Sequence, residues 1–137
     1  SKEQEKEVIN PELLRPADEV ALEKLDIIKE QKIWKEGKHK EYHTQLTDVI
    51  REYVSRRYEI NSTEKTSDET LRALKPMFRD QRELFQRLEK MLQVADLVKF
   101  AKWHTTPDEN EQGLLTAYEF VNETKEIITE EGKEEEV

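Results

Sequence analysis

Two histidines four residues apart form the strongest candidate for a chemical site in this chain. His39 and His43 lie at a predicted helix start, where this spacing can place two imidazoles on one metal ion. The stretch reads HKEYH, so its glutamate stands in the third position and not in the second, where zinc proteases carry it. No third ligand is apparent, and Lys38 and Lys40 would repel a cation. We therefore predict two solvated histidines and no metal site.

Other residue patterns that support catalysis or cofactor binding are missing. The chain has no cysteine, which excludes thiolate nucleophiles and cysteine-ligated zinc. It has no Gly-x-Ser-x-Gly motif, and its three glycines cannot form a phosphate-binding loop. His104 is explained by its place at a predicted helix end, where a cation interacts favourably with the helix dipole. We predict no catalytic residue, no cofactor, no small-molecule substrate and no enzymatic activity; the alternative is an unfamiliar helical active site.

Composition narrows the possible partners of the chain. Of its 137 residues, 40% are charged, and the formal net charge is −9. An acidic chain lacks the basic surface that gives general affinity for nucleic acids or anionic lipid. No apolar run approaches the roughly 18 residues of a membrane span. We expect the chain as given to be soluble.

The spacing of apolar residues predicts an all-α protein, a compact bundle of about five helices. The first and fourth helices are predicted over residues 17–36 and 80–103, with Gly37 ending the first. Leu97 and Phe100 are expected to broaden the buried face of the fourth helix. The second, over residues 38–58, has six apolar side chains on one face. These are Tyr42, Leu46, Val49, Ile50, Tyr53 and Val54.

Two capping boxes mark the starts of the third and fifth helices. In each box, the side chain of a threonine accepts a hydrogen bond from the amide of the glutamate three residues later, and the glutamate side chain accepts one from the threonine amide. The two pairs are Thr66 with Glu69 and Thr106 with Glu109. Pro76 ends the third helix, which is therefore short. The residues of the fifth helix that we expect to face the core are Leu114, Leu115, Tyr118 and Val121.

The same pattern divides the chain into three parts. Residues 1–15 are polar and contain a proline, which predicts a lead-in linker. Residues 16–129 form the predicted helical domain. Residues 130–137 are dominated by glutamate, which predicts an acidic disordered tail.

A basic cluster stands out against this acidic background and is the predicted partner-binding surface. Its members are Arg51, Arg56, Arg57, Lys99 and Lys102. The alternative is a nucleic-acid-binding regulator that uses helices two to four. Acidic residues interleaved in both helices, together with the net charge, argue against nucleic acid.

Two stretches, in order, resemble those of a known family. The first contains residues 41–42 (EY), 46–60 (LTDVIREYVSRRYEI) and 65–69 (KTSDE), and the second contains residues 95–102 (ADLVKFAK) and 106–111 (TPDENE). With the Pro16 helix start, they make the chain similar to the cytoplasmic C-terminal helical tail of Bacteroidetes BatD-like, aerotolerance-associated membrane proteins. The resemblance is looser to helical tails of membrane-bound transglutaminase-like proteins.

The resemblance implies a cellular location and a class of partner. Such tails follow a membrane span and lie on the cytoplasmic side of the inner membrane. Their genes tend to neighbour genes for MoxR-type ATPases and von Willebrand A-domain proteins, so a partner of either class is expected. The resemblance implies no catalytic residue, and the expected function is a non-catalytic protein–protein interaction module.

Overall fold

A computed structural model describes residues 10–128 and 134–135 of the chain. Its α-helices are α1 (Ala17–Gln31), α2 (His39–Tyr58), α3 (Ser67–Leu74), α4 (Arg82–Ala101) and α5 (Pro107–Thr124). The predicted all-α bundle with a short third helix is confirmed. After α5, a two-residue antiparallel pairing joins β1 (Ile127–Ile128) to β2 (Glu134–Glu135). In the described part of the chain, no helix is both long and apolar enough to cross a membrane.

The two predicted flanking segments fall largely outside the described residues. Of the predicted linker, residues 1–9 lie outside them, and Pro11–Leu14 forms a 3-10 turn in which Asn10 accepts a hydrogen bond from the Glu12 amide. Of the predicted acidic tail, only the Glu134–Glu135 backbone is described, as the partner of β1. The linker and the disordered tail therefore stay predictions.

The four long helices pack in a ring, with α1 against α2, α2 against α4, α4 against α5 and α5 against α1. Helix α2 also contacts α5 across the ring, and α3 packs against α4. All six apolar residues predicted for one face of α2 are buried, because that face meets three helices at once. Phe78 and Phe120, which the sequence analysis did not assign to the core, stack on each other within it with ring centroids 5.7 Å apart.

Helix α1 ends earlier than its sequence pattern predicts. Lys32 adopts a left-handed conformation with φ of 47°, which stops the helix after Gln31. A 3-10 turn, Ile33–Glu36, follows and ends at Gly37, which has φ of 78°. The change of direction lets Ile33 and Trp34 pack against the core as a separate segment. Gly37 thus ends the extension of the helix and not the α-helix itself.

Both predicted capping boxes are confirmed. Thr66 accepts a hydrogen bond from the Glu69 amide at 3.1 Å, and the Glu69 carboxylate accepts one from the Thr66 amide at 3.0 Å. Thr106 and Glu109 repeat the arrangement at the same two distances. The hydrogen bond from the Thr66 amide, followed by that of the Thr66 side chain, holds the pKa of the Glu69 carboxyl below its usual value.

Removing one of these caps should have a small, measurable cost. We expect Thr106→Ala to lower the free energy of unfolding by about 1 kcal/mol, because the Glu109 amide loses its acceptor. Urea unfolding followed by circular dichroism measures the change. Thr63→Ala is the matched control, since Thr63 is exposed and caps no α-helix. Equal effects of the two substitutions would show that the box does not stabilise α5.

Candidate functional site

All three histidines lie where the start of α2 meets the segment between α4 and α5. His43 is only 2% exposed, and the ring of His39 meets that of His104 edge-on at 6.1 Å. The predicted solvation is therefore wrong for His43: the residue packs in the helix–helix contact. Among the described residues, no group of three or more histidine, aspartate or glutamate side chains could hold a metal ion.

A buried polar network joins α2 to the first turns of α5. His43 Nε2 lies 2.8 Å from Asn110 Oδ1, and the Thr105 hydroxyl donates to the same oxygen at 2.6 Å. Because an amide oxygen can only accept, His43 carries a proton on Nε2. His39 Nδ1 lies 3.0 Å from Thr105 Oγ1, and the Tyr42 hydroxyl donates to the Asn110 carbonyl at 2.8 Å. The network therefore connects α2 to the segment before α5 and to the first turn of α5.

A cavity of about 360 Å³ opens beside this network, between α2, α4 and α5. His43 lines it together with apolar groups of Met91 and Val94. Burial lowers the pKa of His43 below its usual value, and the charges of His39 and Lys99 act in the same direction. The hydrogen bond to Asn110 and the Glu109 carboxylate oppose that shift. His43 is thus held towards its neutral form.

Arg51, the first member of the predicted partner-binding cluster, holds the connection between α2 and α3. Its Nη1 donates to the carbonyl oxygens of Ser62 at 3.0 Å and Lys65 at 2.7 Å, and lies 3.4 Å from the Thr70 hydroxyl. Its Nη2 donates to Ser67 Oγ at 2.8 Å. One guanidinium thus bonds to two carbonyl groups of the α2–α3 loop and to two hydroxyl groups in the first turn of α3.

Arg56 and Arg57 point to two other places in the fold. Arg56 donates to the carbonyl of Arg15 at 2.5 Å, which ties α2 to the segment before α1. Arg57 Nε donates to the Thr124 carbonyl at 2.7 Å, and its Nη1 lies 3.6 Å from the Glu126 carboxylate. Both arginines therefore satisfy backbone carbonyls of other segments, and Arg57 closes the C-terminal end of α5.

The two lysines of the cluster lie at the end of α4. Lys99 donates to Thr47 Oγ1 on α2 at 2.9 Å, and burial lowers the pKa of its ammonium group below the usual value. The Arg51 charge contributes to that shift, so the structure brings Lys99 and Arg51 to the same region. Lys102 is exposed and ends α4 in a left-handed conformation with φ of 53°. Of the five predicted residues, only Lys102 has its side chain in open solvent; the role of the cluster in partner binding stays a prediction.

An apolar patch on the surface lies at the same end of α4. Phe100 is 82% exposed, Trp103 is 50% exposed and Leu97 is 44% exposed. The amides of Lys102 and Trp103 both bond to the Leu97 carbonyl, which turns Trp103 back towards Leu97. We call Leu97, Phe100 and Trp103 the α4 patch. The prediction that Leu97 and Phe100 extend the buried face of this helix is wrong.

Exposed apolar side chains also occur singly elsewhere. Leu115 on α5 is 51% exposed, so its predicted core position is wrong, whereas Leu114 packs partly against the core and Val121 is fully buried. Single exposed leucines are common on protein surfaces. The α4 patch differs because two aromatic side chains and a leucine lie within one and a half turns of the chain.

Comparison with known proteins does not assign a family to the chain. It matches no family model, no curated protein and no solved structure. The resemblance to BatD-like tails therefore stays a prediction. The α4 patch is the feature from which a function is argued below.

The α4 patch had a signal in the sequence. The apolar residues of α4 number more than one helical face can hold, and residues 97, 100 and 103 follow at intervals of three. At about 100° per residue, Leu97 and Phe100 lie about 180° and about 120° around the helix from Leu88, the middle residue of the buried face formed with Leu84 and Leu92. Leu97 and Phe100 therefore lie off the buried face of α4. The sequence alone does not reveal whether another segment packs over them; the structure shows that they are exposed.

Proposed function

We propose that the chain is a non-catalytic protein–protein interaction module that binds its partner through the α4 patch. The observation that carries the proposal is the exposure of Phe100, a large aromatic side chain on a regular helix. Aromatic residues in contact with water are enriched at protein interfaces, where a few of them carry most of the binding energy.

The surroundings of the patch favour a protein partner over nucleic acid. Three of the basic residues that would contact phosphates, Arg51, Arg56 and Arg57, already donate to carbonyl groups of the chain itself. The formal net charge of −9 also opposes a phosphate backbone. An apolar patch with the exposed cation Lys102 beside it fits a partner surface with an apolar centre and an acidic rim.

The resemblance to BatD-like tails adds a cellular location to this proposal. In that setting the chain is the cytoplasmic tail of a membrane-anchored protein, and a span outside this sequence holds it at the inner membrane. The partner classes that the resemblance suggests are a MoxR-type ATPase and a von Willebrand A-domain protein. Both classes can be purified and tested separately against the chain.

The decisive variant is Phe100→Gln, which removes the aromatic ring and keeps a good helix former. We expect it to weaken binding to the purified partner by about tenfold or more, because a central aromatic anchor contributes roughly 1.4 kcal/mol or more. The free energy of unfolding should change by less than about 0.5 kcal/mol, since the side chain is largely in water. Calorimetric titration of the ATPase or the A-domain protein into the chain measures the affinity. Urea unfolding measures the free energy of unfolding.

Leu115→Gln is the matched control for this experiment. It removes an equally apolar, half-exposed side chain from α5, outside the α4 patch. Binding by Leu115→Gln should equal that of the unaltered chain. Failure of both purified partner classes to bind, or equal affinity of the Phe100→Gln variant and the unaltered chain, would refute the proposal.

A further inference from the structure

The eight arginines of the chain fall into two groups according to their partners. Five have a hydrogen bond or ion pair: Arg15, Arg51, Arg56, Arg57 and Arg87. The other three, Arg72, Arg79 and Arg82, form neither a hydrogen bond nor an ion pair with any residue of the described ranges, 10–128 and 134–135. All three line one pocket.

This basic pocket lies where α3 runs into α4. Arg72 comes from α3, Lys75 and Arg79 from the 3-10 turn Lys75–Phe78 and its end, and Arg82 from the first turn of α4. Intervals of three and four residues keep Arg72, Lys75 and Arg79 on one side of α3 and the 3-10 turn. Arg82 comes after Gln81, whose φ of −132° interrupts the helical path. The local fold therefore gathers four cations around one concavity of about 660 Å³.

The floor of the basic pocket is apolar. Pro76, Phe78 and Phe85 line it between the cations, and Glu89 is the carboxylate among its lining residues. Phe78 and Phe85 are themselves anchored in the core, with ring centroids 6.0 Å apart. The pocket thus combines a fixed apolar base with four basic side chains at its sides.

The charge of the basic pocket is opposite to that of the molecule. Four cations and one carboxylate give its lining a formal charge of about +3, whereas the whole chain carries −9. Because Arg72, Arg79 and Arg82 form no ion pair with a described residue, their guanidinium groups can bind carboxylates of another molecule. Arginine is suited to this role, because its planar guanidinium forms paired hydrogen bonds with a carboxylate.

We propose that the basic pocket binds an acidic peptide segment of a partner, with one apolar side chain of that segment against Pro76 and the small exposed edges of Phe78 and Phe85. A nucleotide is disfavoured because Pro76 offers no amide hydrogen and the wall contains no glycine-rich loop for a phosphate. Duplex nucleic acid is disfavoured because the cations surround a concavity instead of following a protruding helix face.

A fluorescent acidic peptide tests this inference directly. The probe is a short peptide of alternating glutamate and glycine with one central leucine, titrated with the full chain in fluorescence anisotropy at low salt. We expect saturable binding that weakens as salt is raised. The double variant Arg79→Glu with Arg82→Glu should weaken binding by about tenfold or more, since two attractions become repulsions. Replacing the leucine of the probe with serine should also weaken binding.

The matched control carries the same change of net charge elsewhere. Lys29 and Lys40 are exposed and lie on α1 and α2, so Lys29→Glu with Lys40→Glu lowers the charge equally without touching the basic pocket. Binding by this variant should stay within about threefold of the unaltered chain, because exposed, distant charges are screened. Circular dichroism should show equal helix content for both double variants, since all four residues are exposed.

Three results would overturn the inference. They are no saturable binding of the peptide, equal loss of binding in the two double variants, and tighter binding of duplex DNA or phosphatidylserine vesicles than of the peptide. The test is independent of the α4 patch, because Phe100 does not line the basic pocket. Phe100→Gln should therefore leave peptide affinity unchanged while it weakens binding of the proposed partner.

Discussion

Replacing Arg51 with methionine should lower the free energy of unfolding by about 2–4 kcal/mol. The guanidinium bonds to two loop carbonyls, those of Ser62 and Lys65, and to the hydroxyls of Ser67 and Thr70. Methionine would fill the space, but the Lys65 carbonyl would lose this partner, and the buried groups of Ser62, Ser67 and Thr70 would keep only their other hydrogen bonds. Chemical denaturation measures the loss.

Arg72→Met is the control for that prediction. It removes an exposed arginine that makes no hydrogen bond or ion pair within the described residues, so its cost should be below about 0.5 kcal/mol. The comparison also separates two roles for Arg51. A structural role predicts lost stability, whereas a role in partner binding alone predicts weaker binding with stability unchanged. Equal stability of the Arg51→Met and Arg72→Met variants would contradict the structural role.

The second large effect is a loss of stability in mild acid that depends on His43. Its pKa is lowered in the folded state by burial, so the unfolded chain binds a proton more readily than the folded chain. The associated stability is fully present above the unfolded pKa of about 6.5 and is lost as the pH falls towards the lower folded pKa. In this window the free energy of unfolding can fall by about 1.4 kcal/mol for each pH unit.

Urea unfolding at a series of pH values between neutrality and the range where carboxylates titrate measures this dependence. His43→Gln removes the titrating group and should flatten the slope in that window. His104→Gln is the matched control, because His104 is an exposed histidine whose ring contact is with His39 and not with His43. It leaves His43 in place and should keep the slope. An unchanged slope in the His43→Gln variant would show that another group causes it.

The parts of the fold that could be predicted are those governed by local rules. Six apolar residues on one face of α2 and the boxes at Thr66 and Thr106 were predicted correctly, because helix period and capping depend on neighbours in sequence. The early end of α1 was missed, because Lys32 takes a conformation that the sequence pattern does not favour. That conformation is compensated by the packing of Ile33 and Trp34.

The candidate sites were harder to predict, because a side chain's type does not reveal its partner. Arg51 and Arg57 look like surface cations in sequence, yet each donates to carbonyls far along the chain. His43 was predicted to be solvated, because the sequence does not show that Thr105 and Asn110 pack against it. The basic pocket had a readable signal in the spacing of Arg72, Lys75, Arg79 and Arg82, but Pro76 suggested a helix end. In the structure the 3-10 turn continues the helical path through that proline.

Site-specific photo-crosslinking at position 100 tests the proposed interaction module most directly. A photoreactive phenylalanine analogue in place of Phe100 keeps an aromatic ring in the α4 patch, and the same analogue at Leu115 is the control. In cells that produce the chain together with the proposed partners, position 100 should give one discrete adduct containing a MoxR-type ATPase or a von Willebrand A-domain protein, and position 115 should not. No adduct at position 100, or the same adducts at both positions, would contradict the proposal that the α4 patch binds a protein partner.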